Sequence, residues 1–276
     1  MTGFCNKLLH KFGDAYDLIQ RSYSNHKIDC IFFLTAFLQQ VNAQQTGRMD
    51  TDRPDQTESV SITKKDYLQA EIGFNKEKYG TGFTWVHPTA LWKLGLNSRF
   101  ELRLITEANT LKSGPTKISG LVPTQIGGKI ALWKEKGIIP QTSLIFHTGI
   151  PALGSTTFKT PFLSPNFRFT LQHTFTDRIA LGYNLGAEWD GNGGSPDWIY
   201  TLAPGINLGE RWYAYAEIFG SIRPLEKPLH GIDGGIAYYF NENCKIDFSG
   251  GKGLNEESVV YYVAVGFSFR IKVLNR

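Results

Sequence analysis

Ile179-Ala-Leu-Gly-Tyr-Asn-Leu-Gly-Ala-Glu-Trp189 is the stretch that decides how this chain folds. Ile179, Leu181, Tyr183, Leu185, Ala187 and Trp189 share one parity, while Ala180, Gly182, Asn184, Gly186 and Glu188 share the other. Successive side chains of a strand point to opposite faces, so one face is apolar and the other small or polar. Thr176-Asp-Arg178 before the stretch and Asp190-Gly-Asn-Gly-Gly-Ser-Pro196 after it carry turn chemistry. The segment reads as a bounded strand with one side suited to hydrocarbon and the other to water.

Working outward, the same alternation recurs from Tyr67 to Ile271, in roughly a dozen stretches. Short charged connections such as Asn97-Ser98, Lys134-Glu-Lys-Gly137 and Gly209-Glu210 alternate with longer ones such as Pro151 to Pro165 and Arg223 to His230. In lipid every backbone N–H and C=O must be satisfied within the protein, so a chain that lacks long apolar helices crosses only as a closed sheet. The pattern predicts an all-β fold, an antiparallel transmembrane β-barrel of about 12 strands over residues 67–271, with short turns and both termini on the inner side. Pro88 and Pro204 fall inside strands and predict two bulges, because proline cannot donate to the ladder.

The 276 residues fit one such domain. The net charge of +4 is scattered, with no basic block, which argues against a nucleic-acid partner. Trp85, Trp133, Trp189, Trp198 and Trp212 fall near strand ends, where indoles suit the headgroup boundary.

Residues 1–43 read as a leader. Lys27 precedes the apolar run Cys30 to Leu38, and Val41-Asn-Ala43 offers a cleavage site before Gln44, as in a secretory signal peptide. The run is too short for a transmembrane helix. Residues 1–26 are expected to reflect an upstream start codon chosen in error, with an amphipathic extension as the alternative. Cys5 and Cys30 lie in this leader, so the exported domain keeps Cys244 alone and has no intrachain disulfide.

The face expected to look inward carries Glu71, Lys93, Glu101, Arg103, Glu107, Lys129, Arg168, Glu188, Glu217, Asp233, Lys245, Asp247 and Arg270. An unpaired buried charge costs several kcal/mol, so either the lumen is wet or its ions pair across it around part of the chain. A barrel of about twelve strands is wider than its own side chains fill. The polar segment 44–66 is a candidate filler. Its Asp52, Asp55 and Glu58 could meet lumen bases while Arg53 meets lumen carboxylates; the alternative is a disordered periplasmic tail.

Several stretches carry a family resemblance over about residues 51–270. They are Thr51-Asp-Arg-Pro-Asp-Gln-Thr-Glu58, Gly95-Leu-Asn-Ser-Arg-Phe-Glu-Leu-Arg103, Thr176-Asp-Arg178 with Leu181-Gly-Tyr-Asn-Leu-Gly186, and Val265-Gly-Phe-Ser-Phe-Arg270. They resemble the outer-membrane transporter family named for the MetA pathway of phenol degradation. Asn97-Ser-Arg99 stands where that family often has Thr-Asp-Arg, and Ile271 to Arg276 runs past the usual final aromatic. The resemblance implies an outer-membrane barrel that passes small, often hydrophobic or aromatic compounds, and it carries over no binding residues.

The expected function is a passive channel in which Glu101, Arg103, Lys129, Arg168 and Glu188 set up a transverse field. The alternatives are an outer-membrane lipid hydrolase, or a receptor or structural barrel. His147 and His173 are the histidines that a hydrolase would use, yet no Ser/His/acid triple converges in the sequence. No metal or cofactor is expected, since the six histidines are spread out and Asp190-Gly-Asn192 is only a fragment of a calcium loop. Expected partners are outer-membrane lipids, a small solute and the barrel assembly machinery.

Overall fold

The computed structural model describes residues 47–273, so the expected leader and cleavage site lie outside the described residues. The strands are β1 (Tyr67–Tyr79), β2 (Gly82–Gly95), β3 (Phe100–Ser113), β4 (Thr116–Leu121), β5 (Gln125–Trp133), β6 (Gln141–Gly149), β7 (Ser164–Thr174), β8 (Ile179–Glu188), β9 (Asp197–Leu208), β10 (Trp212–Ile222), β11 (Leu229–Asn241), β12 (Cys244–Gly253) and β13 (Tyr261–Lys272). Successive strands pair antiparallel, and β1 pairs with both β2 and β13, which closes the ring. Both β4 and β5 lie against β3, β4 beside Ala108–Ser113 and β5 beside Phe100–Ile105. They form one stave broken at Val122-Pro-Thr124, so thirteen strands make twelve staves.

Polarity is inverted relative to a water-soluble sheet protein. Leu102, Ile218, Phe248, Val265 and Phe267 are each more than two-fifths exposed, while the largest fully buried side chains are led by Arg103, Lys93, Lys129 and Lys245. A fold whose apolar side chains face out and whose ions face in suits hydrocarbon around a polar interior.

Every expected strand is present, and the differences lie at the long-loop end. From the sequence, strand ends near Asn75, Phe83, Asn109 and Thr124 leave residues 76–82 and 110–123 as loops; both are largely strand instead, closed by tight turns at Gly80 and Gly114, both at positive φ. Pairing persists because Lys76 packs over the rings of Phe83 and Trp85, 4.7 and 4.5 Å from their centroids. Connections therefore do not alternate strictly between short and long. The bulge expected at Pro88 is there, since β2 spends one extra residue between Val86 and Thr89 against both neighbours. The one expected at Pro204 is absent. Register with β8 and β10 is the same on either side of it, and the ladder to β10 merely lapses at Ala203 and Pro204, so the missing N–H is accommodated without an inserted residue.

Candidate functional site in the lumen

Segment 47–66 enters and leaves at the short-turn end. On the way in, Arg48 donates to Glu210 O at 2.9 Å and Met49 N–H to Glu242 O at 2.9 Å, and Met49 is fully buried against Ala237 and Tyr239. On the way out, Thr63 N–H reaches Glu101 Oε2 at 2.5 Å and Asp66 N–H reaches Gly95 O at 2.9 Å. Between these points it bonds to or packs against side chains on all twelve staves, from Glu71 on β1 to Arg270 on β13. A peptide that touches every stave of a closed ring lies inside it.

Asp52 is the hub. Its carboxylate lies 3.0 Å from Lys93, 3.1 Å from Arg103 and 3.0 Å from Lys129, and accepts the Ser59 N–H at 2.9 Å. Burial pushes the Asp52 carboxyl up, but the cations of Lys129, Lys93 and Arg103 outweigh it and hold the group well below the usual carboxylate range. Arg103 also donates to Glu58 Oε2 at 2.6 Å, and its charge likewise overcomes the burial of Glu58 and lowers that carboxyl. Glu71 pairs with Lys93 and accepts the N–H groups of Asp52 and Arg53 at 2.9 and 3.0 Å. Of the charges on this wall, three are cationic (Lys93, Arg103, Lys129) and two anionic (Glu71, Glu101), a surplus of one positive charge; Asp52 and Glu58 add two negative charges and leave the cluster at net −1.

The opposite wall has the opposite surplus. Four to six staves round the ring from β3, β12 to β10 carry Glu217, Asp233 and Asp247 against Lys245 alone. Arg53 pairs with Asp247 at 3.0 Å, and Glu217 accepts Gln56 N–H at 2.7 Å and the Thr57 hydroxyl at 2.5 Å. Asp55 also lies here. Burial, reinforced by the Glu217 charge, pushes its carboxyl well above the usual range.

Arg168 donates to Gln56 O at 2.8 Å and pairs with Glu188 at 2.7 Å. Asp233 bonds to the Tyr262 hydroxyl. Glu107 stands apart, toward the long-loop end, where it accepts from Asn109 at 2.7 Å. Of the two histidines, His147 is buried in the wall and His173 sits at the short-turn end beside Tyr183. Neither bonds to a serine among the described residues.

Sequence reasoning missed the neutral half of the site. Asn184 accepts Glu58 N–H at 2.7 Å and returns a bond to Glu58 O at 3.1 Å, and Ser143 donates to Val60 O at 2.6 Å. Asn184 had a signal, as the one amide on a strand face otherwise of Gly, Ala and the terminal Glu188. A cavity of about 630 Å³ opens at the short-turn end, lined by Arg48, Asp50, Lys64, Arg99, Trp133 and Arg270 among others.

Among solved structures the barrel is similar to an outer membrane channel from Pseudomonas putida F1, with a TM-score of 0.62 at 8% identity, covering 77% of this chain and 98% of that one. The KdgM porin superposes with a TM-score of 0.49 at 13% identity, covering 72% and 98%. No curated protein matches by sequence. The family model described as "Putative MetA-pathway of phenol degradation" matches residues 51–271, a span that takes in both the barrel and the lumen segment, and the chain belongs to that family.

Proposed function

We propose that the protein is a passive outer-membrane channel for small solutes and that residues 51–63 are its plug. The supporting observation is the seat of Asp52, a carboxylate from the segment held by cations of β2, β3 and β5. Those cations need an anion, because leaving a buried charge uncompensated costs about 3–5 kcal/mol. The plug supplies it from the same chain, its covalent connection to the barrel running through Asp66 into Tyr67 of β1, while its contacts with the wall are non-covalent. When it withdraws, water enters to hydrate the exposed ions, and a positive wall faces a negative one across the bore.

Such a transverse field orients polar groups of a solute and penalises ions of the wrong pattern. Solutes of the kind the family description suggests, small phenol-like aromatics, combine a dipole with an apolar ring, and the inner cavity is large enough to receive one. Export through a leader cleaved before Gln44 belongs to the same reading; N-terminal sequencing of the mature protein tests it.

Uptake of phenol and of a sugar of similar size into proteoliposomes, with the full mature chain and with Asp52→Asn, tests the function. Faster uptake in the variant is expected. Absence of uptake with both proteins, each correctly folded, refutes the channel.

A further inference from the structure

Outside the lumen, the long-loop end carries a basic and aromatic surface that the channel reading does not use. On β1 the outward parity runs Leu68, Ala70, Ile72, Phe74, then Lys76 and Lys78. The same row continues sideways by direct cross-strand pairing, Lys78 to Phe83 on β2, Phe83 to Lys112 on β3, and Lys112 to Lys117 on β4. On the other side Lys78 faces Tyr261 of β13, and Lys252 lies on the outward parity of β12, one position beyond the Gly251 to Tyr262 pair. Cations and rings therefore interleave along one line. Lys78 stands 5.8 Å from the centroids of both Phe83 and Tyr261.

Two features separate this row from a solvated rim. None of Lys76, Lys78, Lys112, Lys117 and Lys252 pairs with a carboxylate among the described residues, and the long-loop half of this outward face holds no carboxylate at all. Glu77 points into the lumen and bonds to Asn75; of the two carboxylates of the nearest loop, Glu257 is taken by Lys227, and Glu256 is exposed and pairs with none of these lysines among the described residues. Height is the second feature. From Leu68 to Lys76 is eight residues, roughly 26 Å along the strand, or about 20 Å along the axis at the usual tilt. The lysines thus stand at the upper border of the apolar band, where lipid headgroups lie.

We infer that this face binds the phosphorylated headgroup of an outer-leaflet glycolipid. The inference rests on the outer-membrane reading above and adds a ligand to its exterior. Phosphates match unpaired ammonium groups, sugar rings match the faces of Phe83, Trp85 and Tyr261, and acyl chains continue down over Phe74 and Val265. Lys252 to Lys117 spans five strand spacings, roughly 24 Å, which suits a headgroup with more than one phosphate better than a single phosphodiester.

The test is binding of bis-phosphorylated lipid A, and of the same lipid with its phosphates removed, to the detergent-solubilised full barrel, read by native mass spectrometry. The phosphorylated form should bind at least tenfold more tightly, and K78Q/K112Q/K117Q/K252Q should abolish that preference, with about fivefold lost per lysine. K134Q/K136Q, at the short-turn end, should keep it. If the fourfold variant does not show the gel mobility of a folded barrel, K112Q/K117Q is read in its place and should lose at least tenfold. Equal binding of the two lipids by the native protein, or preference retained in the folded variant, overturns the inference. Solute uptake by the same preparations after reconstitution into proteoliposomes separates this failure from failure of the channel reading.

Discussion

Gly73 on β1 and Gly266 on β13 face each other across the ladder, and the space left by their missing side chains holds the guanidinium of Arg53. A Cβ at Gly73 would stand 2.2 Å from Nη1 of Arg53, and one at Gly266 2.3 Å from its Nε. Gly73→Val should therefore push Arg53 away from Asp247 and loosen the plug while sparing the ladder. Overpacking of this kind costs about 1–3 kcal/mol. Solute leak through reconstituted protein should rise; unchanged leak in a folded variant would show that Arg53 does not help seat the segment.

Asp52→Asn removes one anion from among three cations. The seated state should lose about 3–5 kcal/mol, and the loss should be non-additive with Lys129→Met, which removes a cation from the same cluster. Protease sensitivity of residues 47–63, followed by mass spectrometry, reads the effect directly. Additive effects of the two substitutions would mean that the pair at 3.0 Å contributes little.

Acidity should act on two carboxyls of the plug, Asp52 and Asp55, in opposite senses. Asp52 has its carboxyl lowered in the seated state, so its contribution is present above the ordinary carboxylate range near 3.8 and fades only as pH falls through the lower seated value. Asp55 has its carboxyl raised, so the seated state holds its proton more tightly and loses stability as pH rises through the window above that range. Asp55→Asn should abolish the alkaline-side increase in leak and leave the acid limit in place. An identical pH profile for the variant would remove Asp55 from the account.

Charge reversal on the walls should alter what passes rather than how often the plug leaves. In protein freed of residues 47–63, Arg103→Glu should shift ion preference toward cations, and Glu217→Lys toward anions. Reversal potentials in asymmetric salt measure both. A preference insensitive to either change would mean that the lumen ions act only as a socket for the segment.

The barrel was legible because period-two alternation is laid down for opposite solvents and survives wherever a strand crosses lipid. The Pro88 bulge was legible for a related reason, as the parity of Trp85 and His87 disagrees with that of Trp92 and Leu94. At Pro204 the same rule failed, because a lapse in pairing accommodates the missing N–H as well as an inserted residue does. The β3–β4 hairpin was hidden too, since above the bilayer no hydrocarbon enforces alternation. The ions of the lumen segment could be named from charge, but their charged partners lie 41 to 194 residues away in sequence and became assignable only with the ring closed. Neutral contacts through Ser143 and Thr201 left still less trace, because a hydroxyl bonded to a carbonyl or to another hydroxyl leaves no charge pattern.

The most direct measurement uses the 2.6 Å approach of the Thr57 and Thr201 hydroxyls, one on the segment and one on β9. In a Cys244→Ser background, Thr57→Cys with Thr201→Cys should form a disulfide that ties the segment to the wall. Single-channel recording should then find the oxidised protein shut, with solute-sized current appearing on reduction and disappearing on reoxidation. Equal current in the two redox states would contradict the claim that this segment closes the channel.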